Sequence, residues 1–550
     1  MDTPPHVTLK PAQNAASKPE FGLSGDPAQA PQQARSGLSG GPVRSASKSP
    51  QTAKASVGII GGGLAGLAAG CALSQAGYKV TLFERRPYLG GRASSYVHPG
   101  TGEVVDNCQH VLLGCCTNLL DLYRRLGVEE RIRWYDRLTY IEPGGRRGTL
   151  EPSSLPAPLH ALPAFFRFPL LSWRDKLSIA MGMLSLIEGV PADDGGSFLQ
   201  WLKRHGQTER AVSRFWSPVL VSALNEELGD VSTHYGAMVF RDAFLKSAQA
   251  GRMGLPSVPL SQLYGVAADY IGERGGEVVL RASVESLGAT NQRAWVTVRG
   301  SVSTALNDGG ASFAGNGSAE PAVAALEDER REFDYMISAV PFQVLAKLMP
   351  PAMQSDALRE NLAQLRTSPI TGIHFWFDRE VTELDHAVLL DRTIQWMFQK
   401  SKILDGQLRV ADAQPAGSYL ELVVSSSKTL VEKSRQEVLD LALKELGEFF
   451  PAVKTARVVK ATVIKEIHAT FTPAPGADRF RPRQQGPWPR IFLSGDWTAT
   501  GWPATMEGAV RAGYAAAEAL TAAHGEREHF LVPDLAAQGW MRLFASRSSD

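Results

Sequence analysis

Three consecutive glycines, Gly61-Gly62-Gly63, separate the short apolar run Ser56-Val57-Gly58-Ile59-Ile60 from Leu64-Ala65-Gly66 and an Ala-rich stretch with apolar residues at helical spacing. The first run reads as a buried strand and the second as a helix that stops at Gly77. Tyr78-Lys79-Val80-Thr81-Leu82-Phe83-Glu84 then reads as a second strand, so about 30 residues form a parallel βαβ unit. Gly61, Gly63 and Gly66 fill the G-x-G-x-x-G pattern. Their missing side chains let backbone N–H groups and the positive helix end approach a pyrophosphate. Glu84, 18 residues after Gly66, closes the second strand, where its carboxylate can accept from a ribose hydroxyl and disfavours a 2′-phosphate. The expectation is a dinucleotide site built on Gly61, Gly63, Leu64, Ala65, Gly66 and Glu84.

The rest of the chain must complete a parallel sheet around this unit, and 550 residues with 44% hydrophobic content leave room for two or three packing units. A net charge of +1 gives no reason to expect nucleic acid as a partner. The four cysteines, Cys71, Cys108, Cys115 and Cys116, argue against a disulfide framework, fit no zinc spacing, and suit a reducing, cytoplasmic compartment. No metal is expected. The first residues lack the apolar core of a secretory signal, and no run reaches the roughly 18 apolar residues of a spanning helix.

Composition divides the chain. Residues 1–54 are rich in Ala, Ser, Pro, Gly and Gln and are expected to be a disordered tail. Residues 55–150 hold the βαβ unit, and 151–250 read as a helical cap or substrate region. Residues 251–345 return to strands with a polar surface loop at 302–330; 346–485 hold two stretches that alternate like sheet strands, 371–378 and 418–427, and the amphipathic stretch Val431–Phe450. Residues 486–525 hold a strand and helix, followed by a C-terminal tail, 526–550.

Three further segments decide which dinucleotide. Glu84-Arg85-Arg86-Pro87-Tyr88-Leu89-Gly90-Gly91-Arg92 extends the unit, and Leu493-Ser494-Gly495-Asp496 precedes Met506-Glu507-Gly508-Ala509. Together they resemble the flavin-dependent amine oxidase and phytoene desaturase superfamily over residues 55–525. The resemblance implies a mixed α/β fold: a Rossmann-type FAD-binding domain of the amine oxidase (GR2-like) type, assembled from three stretches, 55–150, 251–345 and 486–525, with an inserted helix-sheet substrate domain. It implies FAD held by Arg85, Gly90, Gly91, Arg92, Val284, Gly495, Asp496, Met506 and Ala509 in addition to the first turn. No cysteine lies beyond Cys116, so the flavin is expected to be noncovalent at the C-terminal segment. The helix starting near Met506 is expected to aim its positive end at the flavin ring, where reduction places negative charge.

Residues 495–509 are similar to the amine oxidase closing segment, but Thr505 stands where those enzymes commonly have a tyrosine of an aromatic amine clamp. Trp497, Trp502 and Thr505 are expected to line the substrate. Asp106-Asn107-Cys108-Gln109-His110-Val111-Leu112-Leu113-Gly114-Cys115-Cys116-Thr117-Asn118, together with Phe215-Trp216-Ser217-Pro218 and Ala223-Leu224-Asn225, resembles the hydroxysqualene dehydroxylases, the squalene-associated desaturase branch of hopanoid synthesis. That resemblance implies replacement of an allylic hydroxyl by hydrogen, giving squalene. Asp106 and His110 are the candidate acids, with Glu226 as the alternative. The rival readings are an oxidative carotenoid-type desaturase and a flavin-bound partner of squalene synthesis without turnover.

The implied partner is a long apolar isoprenoid. No second G-x-G-x-x-G unit is present for a nicotinamide cofactor, so the electron donor stays open among NAD(P)H, a ferredoxin or another donor. Phe165, Phe166, Phe168 and Trp173, interleaved with Arg167, Arg174 and Lys176, form a pattern suited either to a buried cap or to peripheral contact with the inner face of the cell membrane.

Overall fold

The computed structural model describes residues 54–299, 328–350, 355–404 and 417–547. Residues 1–53 of the expected tail, nearly all of the expected 302–330 loop, and the last three residues of the chain lie outside them.

Strand β1 (Ser56–Ile60), helix α1 (Leu64–Gln75) and strand β2 (Lys79–Glu84) form the expected βαβ unit. Eleven of the 12 residues of α1 are buried, because small side chains let it sit between the sheet and a second helix. That second helix, α2 (Met506–His524), approaches so closely that a Cβ on Gly513 would lie 2.3 Å from the Ala65 carbonyl oxygen. Strands β3 (Glu277–Leu280), β4 (Tyr335–Ser338) and β5 (Ile491–Leu493) complete a five-stranded, all-parallel sheet in the order β3-β2-β1-β4-β5. Its strands thus come from three separated stretches of chain.

A second, seven-stranded sheet has the order 458–471, 367–377, 418–425, 396–399, 386–389, 138–141, 147–150. Its pairings are antiparallel except for Leu138–Ile141 against His386–Leu389. Two of its strands therefore come from residues 138–150, which the sequence groups with the first nucleotide-binding stretch. The long strand Val458–Phe471 and the short pair around residues 386–399 carry no clean alternation and were not expected. The amphipathic helix Arg435–Phe449 covers one face, opened by a capping box in which Ser434 and Glu437 exchange bonds.

Residues 162–245 form the helical layer. Ser172 with Asp175 and Ser197 with Gln200 supply capping boxes, and an aromatic core around Phe198, Trp201, Trp216 and Phe240 holds the layer together. Among the described residues, no helix is long and apolar enough to cross a membrane.

Candidate active site

The carboxyl ends of all five parallel strands open into one cavity of about 830 Å³, the position at which open α/β sheets bind ligands. Ile60 ends β1 and Gly61 follows it, Glu84 ends β2 and Arg85 follows it, Val284 follows β3, Ala339 and Val340 follow β4, and Gly495 to Trp497 follow β5.

The first wall is glycine backbone. Gly61 has φ +105°, and a Cβ on Gly66 would lie 1.9 Å from the Gly61 carbonyl oxygen, so no other residue fits there. Gly66 thus sits behind the wall and shapes it. Gly90 donates its N–H to the Gly62 carbonyl at 2.8 Å, bringing the second glycine segment against the first. At Gly63 a Cβ would meet only the Gly91 Cα, at 3.8 Å, so the space beside it belongs to the cavity. Gly63 is also the N-cap of α1 and supplies no side-chain cap, which leaves the first helical N–H groups for an anion. The Glu84 carboxylate accepts from the N–H groups of Gly62 at 2.7 Å and Arg86 at 2.8 Å. These bonds fix its orientation and leave lone pairs for a ribose diol.

Arg92 forms an ion pair with Asp496 at 2.5 Å and donates to the Ala469 carbonyl, tying the second glycine segment to the C-terminal turn. Thr505 lines the cavity while its hydroxyl accepts from the Gly508 N–H and caps α2. Met506 and Ala509 follow on the same wall. Glu507 also borders the cavity, and its buried carboxylate accepts from the N–H groups of Asn118 and Leu119 and so caps the helix Thr117–Arg125. Trp497 touches the cavity but is packed into the core and donates to the Val340 carbonyl. Trp502 also lines it, with the Arg511 guanidinium 4.5 Å from its ring.

One residue that gives no sequence signal holds this turn. The buried Arg481 guanidinium donates to the carbonyls of Asp496, Thr498 and Trp502. A single arginine thereby satisfies backbone groups that the irregular loop cannot pair itself.

Beyond the glycine wall the lining is mainly apolar, with Leu138, Val219, Met238, Phe244, Met253, Ile370, Trp396, Phe398 and Val423, and Ser222, Asn225 and Asp242 from the helical layer also reach it. Cys108, Cys115 and Cys116 also face this space, and burial raises the pKa of Cys108 well above the ordinary thiol value, as it helps to do for Cys116, whose largest contribution is the bond to Cys115.

The structure separates the candidate acids. Asp106 does not line the cavity. It is buried behind it, bonded to Lys400 Nζ at 2.7 Å and to Ser95 Oγ at 2.5 Å. Burial alone would raise its pKa, but Lys400 and these bonds hold it below the usual carboxylate range. It is therefore an anion and a structural counter-charge, and the expectation that it donates a proton is corrected. Glu226 is likewise buried off the cavity, paired with Lys428 and Thr472. His110 does line the cavity. Its Nδ1 lies 2.8 Å from the Cys108 carbonyl oxygen, which can only accept, so Nδ1 carries the hydrogen and Nε2 of the neutral ring is an acceptor. Burial lowers its pKa and keeps the ring neutral.

The sequence profile described as flavin containing amine oxidoreductase matches residues 64–521. The chain belongs to this family. A probable zeta-carotene desaturase of Synechococcus elongatus is 28% identical over 84% of this chain and 98% of its own length. A 15-cis-phytoene desaturase of the same organism is 27% identical over 86% and 96%. Among solved structures, an oxidoreductase from Methanosarcina mazei has a TM-score of 0.62 at 17% identity, covering 83% of this chain and 98% of that one. Putrescine oxidase bound to putrescine has a TM-score of 0.60, also at 17% identity, covering 85% and 99%.

This flavin amine oxidoreductase fold makes FAD the cofactor. The open space at Gly63, the uncapped start of α1 and the orientation of Glu84 fit its pyrophosphate and ribose. When bound, FAD supplies two-electron hydride exchange.

Proposed function

We propose that this flavin oxidoreductase exchanges hydride with the carbon skeleton of a long, apolar isoprenoid. The observation that carries the reading is the contrast within one cavity. A backbone-rich, polar wall fits a dinucleotide, while the wall beyond it offers Leu, Val, Met, Phe and Trp, which suits a substrate with no polar handle. With Thr505 engaged in capping α2, the aromatic clamp for an amine is incomplete, so amine oxidation is disfavoured.

The oxidative direction, desaturation, has two supports. Relatives named zeta-carotene and phytoene desaturases match 84% and 86% of the chain, over nearly their own whole length. The neutral His110 presents an acceptor nitrogen, suited to taking the proton that leaves with a substrate hydride. Reductive removal of the hydroxyl of hydroxysqualene to give squalene is the second reading. It is favoured because residues 107–113, 115 and 116 of the dehydroxylase-like segment line the cavity. In that direction His110 has to arrive protonated.

Product analysis by mass spectrometry tests both. FAD-loaded protein with phytoene and an electron acceptor should give a product lighter by two hydrogens. If dithionite-reduced protein instead converts hydroxysqualene to squalene, the second reading is correct. Neither product would overturn the proposal in favour of a flavin-bound partner without turnover.

A further inference from the structure

The helix Trp173–Ser185 is apolar on two faces. Ile179 and Gly182 face the core, whereas Trp173, Leu177, Met181 and Leu184 lie along the opposite face, 70%, 66%, 58% and 55% exposed. Single exposed apolar side chains are ordinary, but a stripe along three helical turns marks a contact surface. Its neighbours extend it. The exposed Phe166 ring lies 5.9 Å from Trp173. Exposed Trp540 donates its backbone N–H to Ala157, and Arg241 bridges the carbonyls of Ile187 and Phe544, which brings the C-terminal turn beside the end of this helix.

The exposed charge around the patch is mostly basic, three arginines against the exposed Glu188. Arg167, Arg174 and Arg542 are exposed. Asp175 is turned inward to Ser172 and Thr208, and Glu188 stands past the far end of the helix. The patch also connects inward. Trp173, Phe166, Phe165, Phe215, Phe240 and Phe244 form a continuous series of ring contacts at 5.6–5.9 Å, and Phe244 lines the cavity.

We propose that this face docks the protein on an anionic lipid bilayer. Apolar side chains enter the acyl boundary, tryptophans sit at the headgroup level and the arginines meet lipid phosphate. The ring series then places the cavity next to the phase in which an apolar chain is dissolved. The reason for docking rests on the proposed substrate class, but docking itself does not.

Sedimentation of FAD-loaded full-length protein with sucrose-loaded vesicles tests it, using equal parts phosphatidylcholine and phosphatidylglycerol against phosphatidylcholine alone. The protein should bind the anionic vesicles more strongly, and added salt should weaken that binding. Leu177→Asp with Met181→Asp should lower the partition coefficient about tenfold or more. Val459→Asp, at an exposed position on the sheet, should leave it unchanged. Flavin absorbance confirms that each variant is folded. Failure of the wild-type protein to sediment, or unchanged binding by the double variant, would overturn the proposal. So would a dimer in solution that the double variant splits, since the face would then be covered by a second copy. Because binding is read rather than turnover, any of these results leaves the assignment of the reaction standing.

Discussion

The two walls of the cavity are built in opposite ways. The nucleotide wall is short-range backbone: Gly61 to Gly66 and Gly90 to Arg92 lie within about 30 residues, and their function follows from missing side chains. The apolar wall is assembled from distant side chains and braced from behind by buried charge. Lys400 Nζ lies 2.7 Å from Asp106, 2.7 Å from Gln109 Oε1 and 3.5 Å from Glu421. Burial pushes the Glu421 pKa to about 8, so one cation balances one anion beside a carboxyl that holds its proton at neutral pH. The backbone wall tolerates no added atom at Gly66, whereas a braced wall tolerates substitution if charge stays balanced.

That difference orders the predictions. Gly66→Val should have the largest effect, because its branched side chain meets a fixed carbonyl rather than a flexible neighbour. The ratio of flavin to protein absorbance should fall to near zero. Lys400→Met leaves Asp106 buried without a counter-charge and should cost about 3–5 kcal/mol by denaturant unfolding. Adding Asp106→Asn should recover much of that loss. If the double variant is no better than the single one, the wall is not braced by charge.

Glu421→Gln sharpens the same point through pH. The folded state keeps the Glu421 proton up to about pH 8, while the unfolded chain releases it near its ordinary value of 4.5. Its contribution is therefore fully present below pH 4.5 and lost as pH rises through 8, at no more than ~1.4 kcal/mol per pH unit. Urea midpoints across that window should decline less steeply in the variant. Thr505→Ala, which removes one cap from α2, should cost only about 1 kcal/mol, read as a small drop in melting temperature.

The sequence made the nucleotide wall legible because its constraints are local. The glycine pattern, the strand-end Glu84 and the Gly495-Asp496 turn all lie in contiguous segments. The helices with capping boxes were legible for the same reason. The braces were not. Arg481 and Lys400 are unremarkable in sequence, and only the fold brings Arg481 to the 496–502 carbonyls and Lys400 to Asp106. Asp106 looked like an acid because it neighbours the cavity segment, and its partner lies 294 residues away. The exposed stripe of Trp173–Ser185 shared its apolar pattern with a buried helix, and periodicity alone does not separate two apolar faces.

The central claim is that the apolar wall delivers an isoprenoid carbon chain to the flavin. The most direct test is anaerobic absorbance of the oxidised holoprotein after mixing with phytoene or with putrescine. The flavin band should bleach with phytoene, in proportion to the desaturated product, and not with putrescine. Bleaching by the amine, with no response to phytoene or, from the reduced state, to hydroxysqualene, would contradict it.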